Sequence, residues 1–192
     1  NVWEMGNTGP CGPCTEVHYY IGDNVDNQSE SGVNSLDDYR EVCNLVFIQY
    51  NRLANGKLED LKNKYIDTGL GFERITAILN NKKSNYDTDL FIPIINKISD
   101  LSGKPYNYKS GVPHRVISDH LRMLSFSIAD GALPSNEGRG YVVRRVLRRA
   151  SRFGRELGFS NPFLSDLIDT LINIMGETYP ELIDKKEHIK KV

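Results

Sequence analysis

Two apolar periods divide the chain near residue 84, and this division limits the fold more than any other feature. Before it, hydrophobic residues come in aromatic and β-branched runs. Thr15–Ile21 reads TEVHYYI and Glu41–Tyr50 reads EVCNLVFIQY, the composition of strands. A shorter strand-like run, Tyr65-Ile66-Asp67, leads through two glycines into a helical pattern over Phe72–Asn80. Beyond residue 84 apolar residues recur at steps of three and four, as on one face of a helix. Leu90, Ile94, Ile95 and Ile98 do so within Asp87–Leu101, and Val116, Ile117, Leu121, Leu124 and Ile128 within Pro113–Asp130. The second set is apolar on more than one side, which predicts a buried helix. Gly138–Gly154, Pro162–Met175 and a short charged segment from Glu181 complete the helical part. The expected fold class is therefore α+β: an antiparallel-sheet portion over residues 1–84, then a helical domain over 85–192.

Turn-forming residues mark the joins. Gly6–Cys14 (GNTGPCGPC) holds three Gly and two Pro in nine residues, which predicts a shaped loop. Gly22–Leu36 is polar and reads as a surface loop, and Ala54-Asn55-Gly56 as a turn. Cys11-x-x-Cys14 with His18 superficially suggests zinc, but four ligands are wanted and no second pair follows. No metal site is expected, and loop formation is the better role for these cysteines. Three cysteines in all are too few for a disulfide scaffold and fit a reducing compartment. No apolar run approaches the eighteen or so residues of a membrane span. The opening NVWEMG has neither an initiator Met nor a leader-like pattern, so a piece of a longer protein is expected.

The net charge of −1 conceals a division. Residues 1–84 carry 8 Lys and Arg against 12 Asp and Glu, residues 85–160 carry 12 against 7, and residues 161–192 carry 4 against 6. Between Arg139 and Arg155 there are seven Arg and no acid. At about 100° per residue, Arg144, Arg145, Arg148, Arg149, Arg152 and Arg155 fall on one stripe. Val142, Val143, Val146, Leu147, Ala150 and Phe153 fall on the other. Six cations on one side repel one another, so an anionic partner is expected there. RNA phosphate is favoured, with an acidic protein surface as the alternative. Gly131–Tyr141 precedes this helix as a polar loop, in which Asn136 either reads a base edge or closes an Asx-turn.

Near the sheet's end, Tyr65–Leu79 (YIDTGLGFERITAIL) sets Asp67 and Arg74 about a glycine-lined hollow. Glycines let a ligand approach backbone closely. A guanidinium suits a polyphosphate and a carboxylate suits an ammonium. A structural Asp67–Arg74 pair accounts for the same pattern equally well.

GLGFER resembles motif 3 of the class II aminoacyl-tRNA synthetases. WEMGNTGPCGPCTEVHY, NLVFIQYNR, IDTGLGFERI, SNYDTDLF and ADGALPSNEGRGYVVRRVLRRA resemble blocks of the alanyl-tRNA synthetase family, in the same order from residue 1 to about 160. The resemblance implies the later part of a class II aminoacylation domain over residues 1–84. Residues 85–192 would be an incomplete helical domain recognising the acceptor stem of tRNA(Ala). It implies alanine, ATP and Mg2+ as the parent enzyme's small molecules, no zinc in this segment, and a cytoplasmic (or, in a eukaryote, also organellar) setting.

Residue by residue, the resemblance makes Arg74, with Gly71 beside it, the holder of the ATP phosphates. Asp67 would be the partner of the alanine ammonium, with Gly69 adjacent. Trp3, Asn44 and Val46 would be pocket walls, although ordinary core packing would also explain Trp3 and Val46. Asn136 would read the G·U pair of the stem, with Arg139 and the stripe Arg144, Arg145, Arg148, Arg149 and Arg152 binding tRNA. The family usually has an acid where this chain has Asn7, so a role needing charge there is in doubt. Motifs 1 and 2 of the class are not among the matching blocks, and the isolated segment is expected to be inactive. A catalytically silent RNA-binding or protein-interaction role for the Arg139–Arg155 surface is the alternative reading.

Overall fold

The computed structural model describes all residues, Asn1–Val192, as two compact units, Asn1–Asn85 and Tyr86–Val192. The first is an antiparallel sheet of four strands in sequential order: β1 (Val2–Glu4), β2 (Gly9–Tyr20), β3 (Tyr39–Arg52) and β4 (Leu58–Leu70). Helix α1 (Phe72–Leu79) follows β4. β3 is central because it carries the densest aromatic and β-branched run, and Val42 and Val46 on it are buried. The β3–β4 connection is tight. Gly56 takes a positive φ of 81°, where glycine carries no steric cost, and the Asn55 side chain accepts from the Lys57 amide at 2.9 Å. The polar Gly22–Leu36 segment contains two short 3-10 turns. It is tied to the sheet by Tyr39, whose hydroxyl accepts from the Ser29 amide and donates to the Ser29 carbonyl.

One expectation fails here. GPCGPC is not a loop: β2 already runs from Gly9, and Gly12 pairs with Trp3. The reason lies in the partners. β1 is only three residues long, so prolines on that edge forfeit few ladder bonds. The ladder with β3 is also interrupted between Cys11 and Cys14, as at a bulge. Gly12 is needed at that point. A Cβ there would lie 1.8 Å from the Phe47 carbonyl oxygen.

The second unit is a helical cluster: α2 (Ile92–Ser102), α3 (Val112–Ala129), α4 (Gly138–Glu156), α5 (Ile168–Met175), α6 (Glu181–Asp184) and α7 (Lys186–Lys191). α3 is central, burying Ile117, Leu121, Leu124 and Ile128 among the other helices. Each such side chain contributes about 1.5–3 kcal/mol of burial free energy. Pro93 and Pro113 sit in the first turns of α2 and α3, where the missing N–H costs nothing. For this reason α2 begins at Ile92 rather than at Asp87. Residues 162–175 divide into a 3-10 turn, Leu164–Leu167, and α5. Gly103 ends α2 in the left-handed conformation. On α4 the buried residues are Gly140, Val143, Ala150 and Gly154, a seam of small side chains against which neighbours pack closely. A Cβ on Gly154 would lie 2.2 Å from the Phe163 ring.

Candidate functional site

Cross-strand register brings four of the sheet residues together. On β3, Asn44 stands opposite Gly69 and Val46 opposite Asp67 on β4. Directly opposed residues of an antiparallel pair project to the same face, so Asn44, Val46, Asp67 and Gly69 share one. Val46 is buried, at 7% exposure, while Asp67 is exposed and its carboxylate makes no ion pair or hydrogen bond to the protein. A Cβ on Gly69 would meet nothing within 4 Å, so the space beside Asn44 is open on that flank. The Asn44 Oδ1 is buried without a hydrogen-bond partner. An unmet buried acceptor costs about 1–3 kcal/mol, which a ligand donor would relieve. Trp3 stands outside this set. It opposes Gly12, which lies in the bulge and has no partner on β3.

Arg74 projects from the first turn of α1. The Gly71 amide donates to the Val42 carbonyl at 3.1 Å, joining the helix start to β3. A Cβ on Gly71 would lie 3.1 Å from the Arg74 Cδ, so glycine gives the arginine stem its room. The guanidinium Nη1 donates to the Glu41 carbonyl at 3.1 Å and lies 3.3 Å from Glu41 Oε2. The structural Asp67–Arg74 pair allowed by the sequence is therefore absent, and Glu41 is the partner. The Arg74 side chain remains 43% exposed, with donors free for an anion. Asn7 is exposed in the turn between β1 and β2.

Sequence reasoning missed Glu41 and also Glu16. Glu16 lies on β2 opposite Asn44. Its Oε1 accepts from Asn1 at 3.3 Å, and its Oε2 lies 3.1 Å from His18 Nε2 and 3.5 Å from Asn34 Nδ2. The His18 hydrogen bond, with smaller contributions from the two asparagines, holds this carboxyl below the usual range. Only register and loop closure assemble this cluster, and neither is readable from residue spacing.

In the helical unit, Arg144, Arg145, Arg148, Arg149, Arg152 and Arg155 are all exposed on α4. None of them is paired with a carboxylate, and neither is Arg139. Arg145 stacks over Tyr141 and Arg149 over Phe153, each with its guanidinium 5.8 Å from the ring centre. Arg144 donates to the Asn136 side-chain oxygen. One member of the apolar stripe is misassigned. Val142 is 52% exposed, because it stands about 100° round from buried Val143, on the flank beside Arg149.

No group of three or more His, Cys, Asp or Glu is positioned to hold a metal ion. The three cysteines are free thiols. No helix is long and apolar enough to cross a membrane.

The sequence profile of the class II (A) tRNA synthetases matches residues 1–192, and the chain belongs to that family. Among curated proteins it is similar to alanine--tRNA ligases. That of Chlorobium chlorochromatii (strain CaD3) is 50% identical over 198 residues. That of Chlorobium phaeobacteroides (strain DSM 266) is 48% identical over 198, and that of Herpetosiphon aurantiacus 48% over 195. Each match covers 100% of this chain and 22% of the relative, so the chain spans about a fifth of the length of these proteins.

Proposed function

We propose that this chain provides the motif 3 portion of the aminoacylation site, and helices that bind the tRNA acceptor stem, in a cytoplasmic ligase joining alanine to tRNA(Ala). The observation carrying this reading is the open sheet face shared by Asn44, Val46, Asp67 and Gly69. It sits one short connection before the half-exposed guanidinium of Arg74. Asp67 pairs with the alanine ammonium, Asn44 offers an acceptor, and Val46 walls a pocket that Gly69 keeps open; Trp3, on β1 outside these rows, is a wall by family resemblance alone. Arg74, given room by Gly71, binds the phosphates of magnesium ATP by forked, charge-assisted hydrogen bonds. Asn136 reads the stem, and the arginines of α4, Arg139 among them, hold its phosphates.

The chemistry needs no protein nucleophile. An alanine carboxylate oxygen attacks the α-phosphorus of ATP, the bond to the bridging oxygen breaks, and pyrophosphate leaves. A ribose hydroxyl of the tRNA end then attacks the acyl carbon and AMP leaves. Positioning and charge stabilisation lower both barriers. In the full-length protein, Asp67→Ala should lower alanine-dependent ATP–pyrophosphate exchange about 10- to 100-fold, the loss of one hydrogen bond to a charged group. Exchange within twofold of wild type would remove Asp67 from this role.

A further inference from the structure

The arginine face of α4 is headed by an aromatic ring. Tyr141 precedes Arg145, Arg148, Arg152 and Arg155 by four, seven, eleven and fourteen residues. At about 100° per residue, all five side chains lie within about 40° of one line along the helix, with buried Ala150 on the opposite side. Tyr141 is therefore not a margin of the core. It is 47% exposed, and its hydroxyl makes no hydrogen bond to the protein. Its ring contacts the Arg145 guanidinium, 5.8 Å from the ring centre, in a cation–π pair. Arg144, three residues further on and so a neighbour on the helix surface, holds the Asn136 oxygen. The ring thus stands where the Asn136 loop passes into the run of exposed guanidinium groups.

A row of guanidinium groups suits an RNA duplex, whose phosphates lie on its outside. A ring in the same row does not, because paired bases are stacked on one another and present no free face to a side chain. The RNA element that answers a ring among cations is an unpaired base, which offers a π-face whatever its identity. Arg145 strengthens such a stack by its charge. An acidic protein surface would satisfy the arginines and gain nothing from the ring, since a carboxylate over an aromatic face meets the negative side of its quadrupole.

We infer that Tyr141 is a further RNA-binding residue, stacking an unpaired nucleotide that adjoins the duplex held by the arginines. This rests on the reading of α4 as the tRNA-binding face. Stacking is tolerant of sequence, so Tyr141 supplies affinity for a junction of paired and unpaired RNA and leaves discrimination between base pairs to Asn136.

The test titrates the full-length protein with two acceptor-stem RNAs, one carrying its single-stranded 3′ end and one blunt. Wild type is compared with Tyr141→Leu, Tyr141→Phe and Arg148→Ala. Tyr141→Leu should weaken the RNA with the single-stranded end about 5- to 150-fold and leave the blunt duplex within about twofold of wild type. Tyr141→Phe, which keeps the ring, should retain most of the affinity. A 2-aminopurine base placed in turn at each unpaired position should be quenched by wild type at one of them, and that quenching should be lost in Tyr141→Leu. If Tyr141→Phe is as weak as Tyr141→Leu, the hydroxyl and not the ring makes the contact. If Tyr141→Leu weakens both RNAs equally, the ring serves the helix or the duplex. Either result overturns the inference, as does unchanged binding in Tyr141→Leu when Arg148→Ala weakens both RNAs. If Arg148→Ala also changes neither RNA, the reading of α4 as a tRNA-binding face fails with it.

Discussion

Arg74 is held by Glu41: its Nη1 lies 3.1 Å from the Glu41 carbonyl oxygen and 3.3 Å from Oε2. The backbone contact fixes the arginine stem against β3, while the carboxylate lies beside a half-exposed guanidinium. An anion arriving at Arg74 therefore meets a cation already oriented, together with a carboxylate competing for it.

That competition makes a prediction. A half-exposed ion pair is worth about 0.2–1 kcal/mol, so removing the Glu41 carboxylate should change phosphate binding by less than about fivefold. In the full-length protein, Glu41→Gln should shift the KM for ATP within that range and leave the alanine KM unmoved. A tenfold change in the alanine KM would show that Glu41 serves the amino-acid pocket instead.

Gly12 supplies a test of the fold. A Cβ at this position would fall 1.8 Å from the Phe47 carbonyl oxygen, and the nearest atoms are all β3 backbone, with no flexible side-chain end to yield. Overpacking typically costs about 1–3 kcal/mol and occasionally more. Gly12→Ala should therefore lower the melting temperature measurably, whereas Gly69→Ala, with open space beside it, should leave it within about 1 °C (roughly 0.5 kcal/mol or less). Equal melting temperatures for the two variants would contradict the close approach of β2 to β3.

This residue also shows where the sequence stops being legible. The helices followed from periodicity because each buries one face within its own unit: α3 appears within a residue of its expected limits. GPCGPC reads as a loop because Gly and Pro signal a turn locally, and only the neighbouring Phe47 backbone and the short β1 make a strand of it. Val142 falls on the wrong stripe because only a few tens of degrees separate the two faces at the flank of a helix. The grouping of Asn44, Val46, Asp67 and Gly69 depends on β3–β4 register, and Arg74's choice of Glu41 over Asp67 on side-chain geometry. Spacing encodes neither.

His114 gives the helical unit a pH dependence. It is buried at 3% exposure, and its Nε2 lies 3.1 Å from the Lys104 carbonyl oxygen. That nitrogen must carry the proton, which leaves Nδ1 bare and without a partner. Burial, with a smaller effect of the neighbouring Arg115 charge, lowers its pKa against the raising influence of the Lys104 bond. The folded state thus binds a proton less readily than the unfolded chain. Its stabilising contribution is complete above the unfolded pKa of about 6.5 and is lost as pH falls toward the lower folded value. The melting temperature should drop more steeply between pH 7 and pH 5 for wild type than for His114→Asn. Parallel curves would mean that the histidine is not held neutral.

On the surface proposed to face tRNA, Arg148 and Asn136 separate anchoring from reading. Arg144 donates to the Asn136 oxygen, so it cannot be tested as a phosphate anchor alone. Arg148 is exposed and has no protein partner. A phosphate contact contributes about 0.9 to the slope of log affinity against log salt on a duplex. Arg148→Ala in the full-length protein should therefore weaken G·U and G·C acceptor stems alike and flatten the salt dependence by about that amount. Asn136→Ala should keep the slope and cost about 1–3 kcal/mol of discrimination between the two stems. The measurement is a titration of paired stem duplexes at two or more salt concentrations. If Asn136→Ala weakens both stems equally while Arg148→Ala changes their ratio, the two roles are exchanged. If neither variant alters stem binding, the arginine face of α4 serves an acidic protein surface rather than RNA.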